Sequence, residues 1–324
     1  MKAVQCVEWG PPERLQLAEL PAPEPGRGEV RIRVAAAGVN FPDALIVQKK
    51  YQLQPPLPFV PGTEVAGMVD AVGEGVANLK AGDRVVAFVG LGGFAEFVCA
   101  PQAQVAPLPA NVDLSVAAAF TLAYATAQHA LIDRGQLKPG ETLLVLGAGG
   151  GVGLAAVELG KLAGARVIAA ASSAEKLEAA QRLGADVTID YSSTDLRDAV
   201  RAATDGHGVD LAYDPVGGEY TASALRALAW RGRLLVVGFA AGDIPQIPAN
   251  QLLLKEVAAV GVYWGEFAKR DPAGNARLMM QLFGWLAQGR LQPLVSKTYR
   301  LAEAPQALRD LLDRRAVGKL VIRP

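Results

Sequence analysis

Histidine and cysteine are the scarcest reactive residues in this chain: of 324 residues, two are His and two are Cys. Cys6 and Cys99 are too few for a disulfide framework or a cysteine-rich zinc lobe. His129 and His207 lie far apart, and neither has a second histidine at ligand spacing. Any catalysis must therefore manage with little or no metal. A charge of one sign is also missing: 32 Lys and Arg balance 32 Asp and Glu. That balance argues against a nucleic-acid partner, which usually requires a basic excess. The N-terminus meets charges at Lys2 and Glu8 before a signal-like apolar run develops, and the uncharged stretch from Leu143 to Val157 is short and glycine-bearing. No membrane association and a reduced, cytoplasmic compartment are the expectations. What is abundant is apolar side chain, at 51% against 20% charged, enough for a large core and too much for a disordered chain. The length suggests two domains at about 150 residues each.

The first 120 residues read as short strands broken by glycine turns. Val30–Val34 alternates apolar and charged residues, and Val65–Val72, Arg84–Val89 and Phe94–Val98 follow. Such a pattern suggests a small barrel or sandwich. A helix expected from a Ser115 cap through Leu131 introduces a different rhythm. Strands at Thr142–Leu146, Arg166–Ala170, Val187–Ile189, Val209–Tyr213 and Arg233–Gly238 alternate with helices at Gly151–Ala163, Ala174–Leu183, Leu196–Ala203 and Tyr220–Ala229. Repeated βα units imply a doubly wound parallel sheet with helices on both faces. From about Trp264 the rhythm breaks into helix Ala273–Gln288, strand Leu294–Tyr299, helix Glu303–Asp313 and strand Gly318–Ile322. The expected division is residues 1–122, an inserted domain at 123–263, and a segment at 264–324 returning to complete the first.

One motif carries chemistry on its own. Strand Thr142–Leu146 runs into Gly147-Ala148-Gly149-Gly150-Gly151-Val152-Gly153 and then a helix. Small residues permit the tight turn, close approach of backbone to a pyrophosphate, and close helix–strand contact, while free N–H groups at the helix start bind the anion. The strand–loop–helix context makes this a dinucleotide fingerprint, with Ala148 at its first small position. An NAD site would place Asp or Glu at the end of the next strand; here that strand ends in Ala170-Ala171-Ser172-Ser173, with Lys176 one turn later. Hydroxyls and a cation suit a 2′-phosphate, hence NADPH. The alternative is that Ser173 merely caps its helix and Lys176 is a solvated surface lysine.

Further motifs extend over essentially the whole chain: Ala37-Gly38-Val39-Asn40-Phe41-Pro42-Asp43, Pro61-Gly62-Thr63-Glu64-Val65-Ala66-Gly67, Gly82-Asp83-Arg84-Val85, Leu183-Gly184-Ala185-Asp186, Asp214-Pro215-Val216-Gly217-Gly218 and Gly232-Arg233-Leu234. Together they resemble the zinc-independent medium-chain dehydrogenase/reductases, specifically the quinone oxidoreductase group that includes zeta-crystallin. The resemblance implies an α/β fold: a GroES-like β-barrel domain split around a Rossmann domain. Where zinc-containing relatives carry metal ligands, this chain reads Gly38-Val39-Asn40 and Gly62-Thr63-Glu64, so a metal-free site is implied. Carried onto matching positions, the resemblance places Asn40 beside nicotinamide and substrate, Asp43 close by and Tyr51 on the rim. Thr126 would touch the nicotinamide part, Gly150, Gly151 and Val152 the pyrophosphate, and Ser173, Lys176 and Tyr191 the adenosine and 2′-phosphate. Gly238, Phe239, Val262, Tyr263, Trp264 and Lys319 would line the cofactor cleft. Leu45, Lys49-Lys50 and Phe239-Ala240-Ala241-Gly242 depart from the pattern.

These readings lead to NADPH-dependent reduction of quinones or related conjugated carbonyls, with Asn40 polarising the acceptor or a ribose hydroxyl and solvent relaying the proton. A second enzymatic reading is an alkenal, enone or enoyl-thioester double-bond reductase with Tyr51 as the acid. A non-enzymatic reading is an NADPH-binding storage or regulatory protein. A homodimer is expected by resemblance, paired along an edge strand near Glu256–Tyr263. His129 is expected as an ordinary residue of an apolar helix, His207 as a loop residue, and the two cysteines as inert strand thiols.

Overall fold

The computed structural model describes all 324 residues, which divide into two compact units: Met1–Leu122 with Pro293–Pro324, and Ala123–Gln292. In the first unit the strands are β1 (Lys2–Gln5), β2 (Gln16–Glu19), β3 (Glu29–Val39), β4 (Glu64–Val72), β5 (Arg84–Phe88), β6 (Phe97–Pro101) and β7 (Val105–Pro107), with helices α1 (Phe41–Val47) and α2 (Leu114–Ala118). Helix α3 (Thr121–Gln128) leads into the second unit, which holds strands β8 (Thr142–Leu146), β9 (Arg166–Ala171), β10 (Val187–Asp190), β11 (Val209–Asp214), β12 (Leu228–Val236) and β13 (Ala258–Gly261). Its helices are α4 (Gly151–Leu162), α5 (Ala174–Arg182), α6 (Leu196–Ala203), α7 (Gly218–Ala227), α8 (Ala249–Lys255), α9 (Trp264–Arg270) and α10 (Pro272–Ala287). Strand β14 (Val295–Arg300), helix α11 (Ala304–Leu312) and strand β15 (Lys319–Arg323) return to the first unit.

The first unit is built on a seven-stranded sheet ordered β14-β15-β3-β4-β5-β7, with β6 also paired to β3. Its organiser is β3. Val30, Ile32 and Val34 point into the core while Arg31 and Arg33 reach Asp70 on β4 at 2.8 and 2.9 Å. This strand continues to Val39, well past the alternating segment, because Ala36-Ala37-Gly38-Val39 is buried on both faces and shows no alternation. The strand expected at Phe94–Val98 is displaced to Phe97–Pro101. Phe94 is a fully buried core side chain, and the ladder with β3 begins only at Phe97.

The second unit is a six-stranded, all-parallel sheet ordered β10-β9-β8-β11-β12-β13. The chain winds outward from β8 in both directions, which is the doubly wound Rossmann arrangement with its switch between β8 and β11. The expected helix Ser115–Leu131 is broken at Ala119 and Phe120, and its cap is Asp113, whose carboxylate accepts the Ser115 and Val116 N–H groups at 2.8 and 3.1 Å. A π-helical turn, His129–Arg134, ends the second piece. The segment from Trp264 to Gln292 packs within the second unit and not the first, so the return falls after Gln292 where the sequence reading placed it after Tyr263. Packing explains the difference. Leu278, Leu282 and Leu286 of α10 are buried, the Trp264 indole N–H donates to Asn275 Oδ1 at 2.9 Å, and Phe267 stacks on His129 at 4.3 Å between centroids.

Candidate active site

Where β3 ends, Asn40 starts helix α1: its backbone N–H donates to Asp43 Oδ2 at 2.8 Å, and Asp43 N–H returns a bond to Asn40 C=O at 3.0 Å. The Asn40 side chain turns the other way. Its Nδ2 donates to Thr63 Oγ1 at 3.1 Å and to Glu64 Oε1 at 2.9 Å. Its Oδ1 accepts from the Lys319 ammonium, which also donates to Glu64 Oε1 at 2.9 Å and Val39 C=O at 3.3 Å. Lysine is only a donor, so its position fixes which way the Asn40 amide points. Glu64 Oε2 accepts the Leu122 N–H at 2.9 Å. Asn40, Asp43, Thr63, Glu64 and Lys319 are each no more than 5% exposed. Charges that deep persist only when paired and hydrogen-bonded, as Glu64 and Lys319 are.

This geometry bears on three expectations. Both Asn40 amide hydrogens and its oxygen are engaged, so polarising an acceptor would require breaking one of those bonds. Asp43 is close to Asn40 as expected, but it is fully buried and acts on the Asn40 backbone. Its burial pushes the carboxyl up to about 7, the Asn40 N–H and Lys319 pulling against that shift and the Glu64 charge adding to it. Lys319, expected along the cofactor cleft, is buried and serves as the counter-charge of the Asn40 cluster. Tyr51 lies half-buried in the loop after α1, packed on the same core.

In the second unit the expected residues gather at one edge. Gly150–Val152 follow β8, Ser173 and Lys176 follow β9, Tyr191 follows β10, Gly238 and Phe239 follow β12, and Val262 and Tyr263 follow β13. All stand at the carboxyl ends of parallel strands, the edge where open α/β sheets bind ligands. Thr126 is half-buried on α3. Two of the fingerprint glycines are demanded by close packing of the loop itself. A Cβ on Gly153 would lie 2.2 Å from the Gly147 carbonyl oxygen, and one on Gly149 would lie 2.3 Å from Lys176 Cβ. Gly150 caps the 12-residue α4 without a side-chain bond, leaving that helix start open to an anion. The Lys176 stem therefore passes directly over the loop, while Ser173 Oγ accepts the Lys176 N–H at 3.5 Å as a helix cap. Tyr191 leans on Tyr220 at 4.5 Å between centroids. Trp264 is more enclosed than the exposed Tyr263 beside it: it is 5% exposed and its indole N–H donates to Asn275.

Three functional-looking residues escaped the sequence reading as site residues. Thr63 and Glu64 orient Asn40, and their signal was a carboxylate inside an otherwise apolar strand, Glu64-Val65-Ala66-Gly67. Asp214 shapes the loop after β11 by accepting the Val216 and Gly217 N–H groups, each at 2.9 Å, and the Thr221 hydroxyl at 2.5 Å.

Comparison with known proteins agrees with this construction. Residues 26–110 match the model of an alcohol dehydrogenase GroES-like domain, and residues 151–281 match that of a zinc-binding dehydrogenase. A quinone oxidoreductase-like protein 2 homolog of Nematostella vectensis is 40% identical over 99% of this chain and 88% of its own length. The chain belongs to the quinone oxidoreductase family of medium-chain dehydrogenase/reductases. Two solved members cover all of both chains: a mycobacterial protein complexed with NADPH, 36% identical with a TM-score of 0.94, and Escherichia coli quinone oxidoreductase complexed with NADPH, 30% identical with a TM-score of 0.93. The GroES-like and Rossmann-like architecture expected of the family is borne out. This member is accordingly an oxidoreductase. One family description names zinc, and the donor set here does not fit it. No three His, Cys, Asp or Glu side chains are grouped to hold an ion, and the carboxylates beside Asn40 share their site with an ammonium. No helix is long and apolar enough to cross a membrane.

Proposed function

We propose that this oxidoreductase reduces quinones or related conjugated carbonyls with NADPH and without zinc. The observation that carries the reading is the pairing of an open, uncapped α4 start with Lys176 laid across Gly149, at a strand end that has no acidic residue. Bound NADPH supplies a hydride. The backbone N–H groups of Gly151 and Val152 hold its pyrophosphate, Gly150, whose own N–H donates to Gly147 C=O at 3.0 Å, lets it approach, and Ser173, Lys176 and Tyr191 hold its adenosine end and 2′-phosphate. Thr126, Gly238, Phe239, Val262 and Tyr263 line the nicotinamide end. Asn40 forms a fixed polar wall of the acceptor site, held by Thr63, Glu64 and Lys319, with Asp43 positioning its backbone. A reduced quinone oxygen is a weak base, so solvent suffices to protonate it, which suits a site with neither a free histidine nor a free carboxylate. Steady-state oxidation of NADPH and NADH against a quinone panel tests the proposal. Turnover with NADPH and several quinones supports it, and silence with every quinone defeats it. A preference for alkenals or crotonyl thioesters, lost in Tyr51→Phe, would move the reading to double-bond reduction.

We also propose a homodimer paired through β13. That strand ends the sheet, carries no charged side chain, and has exposed apolar neighbours in Trp230, Leu253 and Leu254. Sedimentation at micromolar concentration checks this, a clean monomer being the contrary result.

A further inference from the structure

The chain passes between its two units twice, after Leu122 and after Gln292. Beside each passage stands a residue bound to the same side chain. Glu158 Oε1 accepts the Gln292 N–H at 2.8 Å, and Glu158 Oε2 accepts the Tyr124 hydroxyl. Gln292 is the last residue before the second passage, and Tyr124 is the second residue after the first. In sequence they lie 134 and 34 residues from Glu158, so only the fold brings them together. Tyr124 is 2% exposed and Glu158 8% exposed.

The surroundings give Glu158 no other work. Leu154, Ala155, Ala156, Val157 and Leu159 around it on α4 are buried and apolar, a setting where an unpaired carboxylate is costly. Burial accordingly pushes its carboxyl up, while the bonds from Tyr124 and Gln292 pull it down. Both oxygens are used, one for each passage. Helix α4 begins at the open fingerprint end, and Glu158 follows about two turns, roughly 10 Å, along its axis.

We infer that Glu158 is a positioning residue that ties both inter-unit passages to the dinucleotide-binding helix, so that the passages and the fingerprint loop move as one body. The role assigned to the loop rests on the proposed function; the tie itself does not. Hydrogen exchange followed by mass spectrometry on the full-length apo-protein reads the tie directly. In Glu158→Ala, amides near residues 121–127 and 289–295 exchange about tenfold faster together, the order expected for losing a buried hydrogen bond, while β4 is unchanged. In Tyr124→Phe only the first segment accelerates. Glu158→Gln stays near wild type, because its amide can accept from Gln292 N–H and donate to Tyr124 Oη. A general loss of stability would accelerate β4 as well, and that pattern overturns the inference. Unchanged exchange at either segment in folded Glu158→Ala also overturns it. If Glu158→Ala does not fold, Tyr124→Phe decides: acceleration confined to 121–127 supports the tie, and no acceleration refutes it. With NADPH and a quinone, Glu158→Ala raises the dinucleotide KM severalfold more than it lowers kcat. Absence of quinone turnover would count against the functional reading and leave the exchange result standing.

Discussion

The two units make their candidate sites from opposite materials. In the first, side chains from the start of α1, the start of β4 and β15 bond to one another until a buried amide is held on three sides. In the second, glycines and strand ends leave backbone N–H groups free for something else to occupy. The Asn40 side chain is already fully bonded; the N–H groups of Gly151 and Val152 wait for a ligand. Loss of a side chain should therefore damage the first unit's stability, whereas uncharging the second should mainly damage binding.

The sharpest way to break this contrast is Lys319→Met. It leaves Glu64 buried without its counter-charge, and urea unfolding should show a loss of about 3–5 kcal/mol, partly recovered by adding Glu64→Gln. In the second unit Gly153→Ala forces a Cβ against the Gly147 backbone, so a loss of about 1–3 kcal/mol is expected, with weaker NADPH binding by calorimetry. Lys176→Ala should spare stability, weaken NADPH about tenfold and leave NADH within about twofold, since only the 2′-phosphate bond is removed. A further effect concerns pH. Asp43 has its carboxyl pushed from 3.8 to about 7 in the fold, so the folded state holds a proton that the unfolded chain sheds. Its contribution to stability is greatest at low pH and fades as pH rises through that window. Relative to Asp43→Asn, the wild type should gain thermal stability as pH falls from about 7 to about 5, by at most about 1.4 kcal/mol per unit.

Much of the second unit was legible because its logic is local. The bounds of β8 and α6 follow from periodicity alone, and the fingerprint announces itself by a run of small residues between β8 and α4. The Asn40 cluster was not legible in the same way. Lys319 meets Glu64 across 255 residues, and no pattern within a window can show such a contact. The motif around Thr63 and Glu64 marked the place but not the partner. Trp264 and the displaced second boundary share a cause: α10 carries an apolar stripe that suits either unit, and only tertiary contacts, Trp264 to Asn275 and Phe267 to His129 among them, decide which.

The location of Lys319 on β15 has a consequence for biosynthesis. A ribosome releases Asn40 and Glu64 early, then the whole of the second unit, and only afterwards the lysine that neutralises them. The inserted unit can close while the first still lacks both β15 and a cation. Until Lys319 is made, Glu64 has no ammonium to be buried against, so the Asn40 cluster closes only after the second unit has been translated.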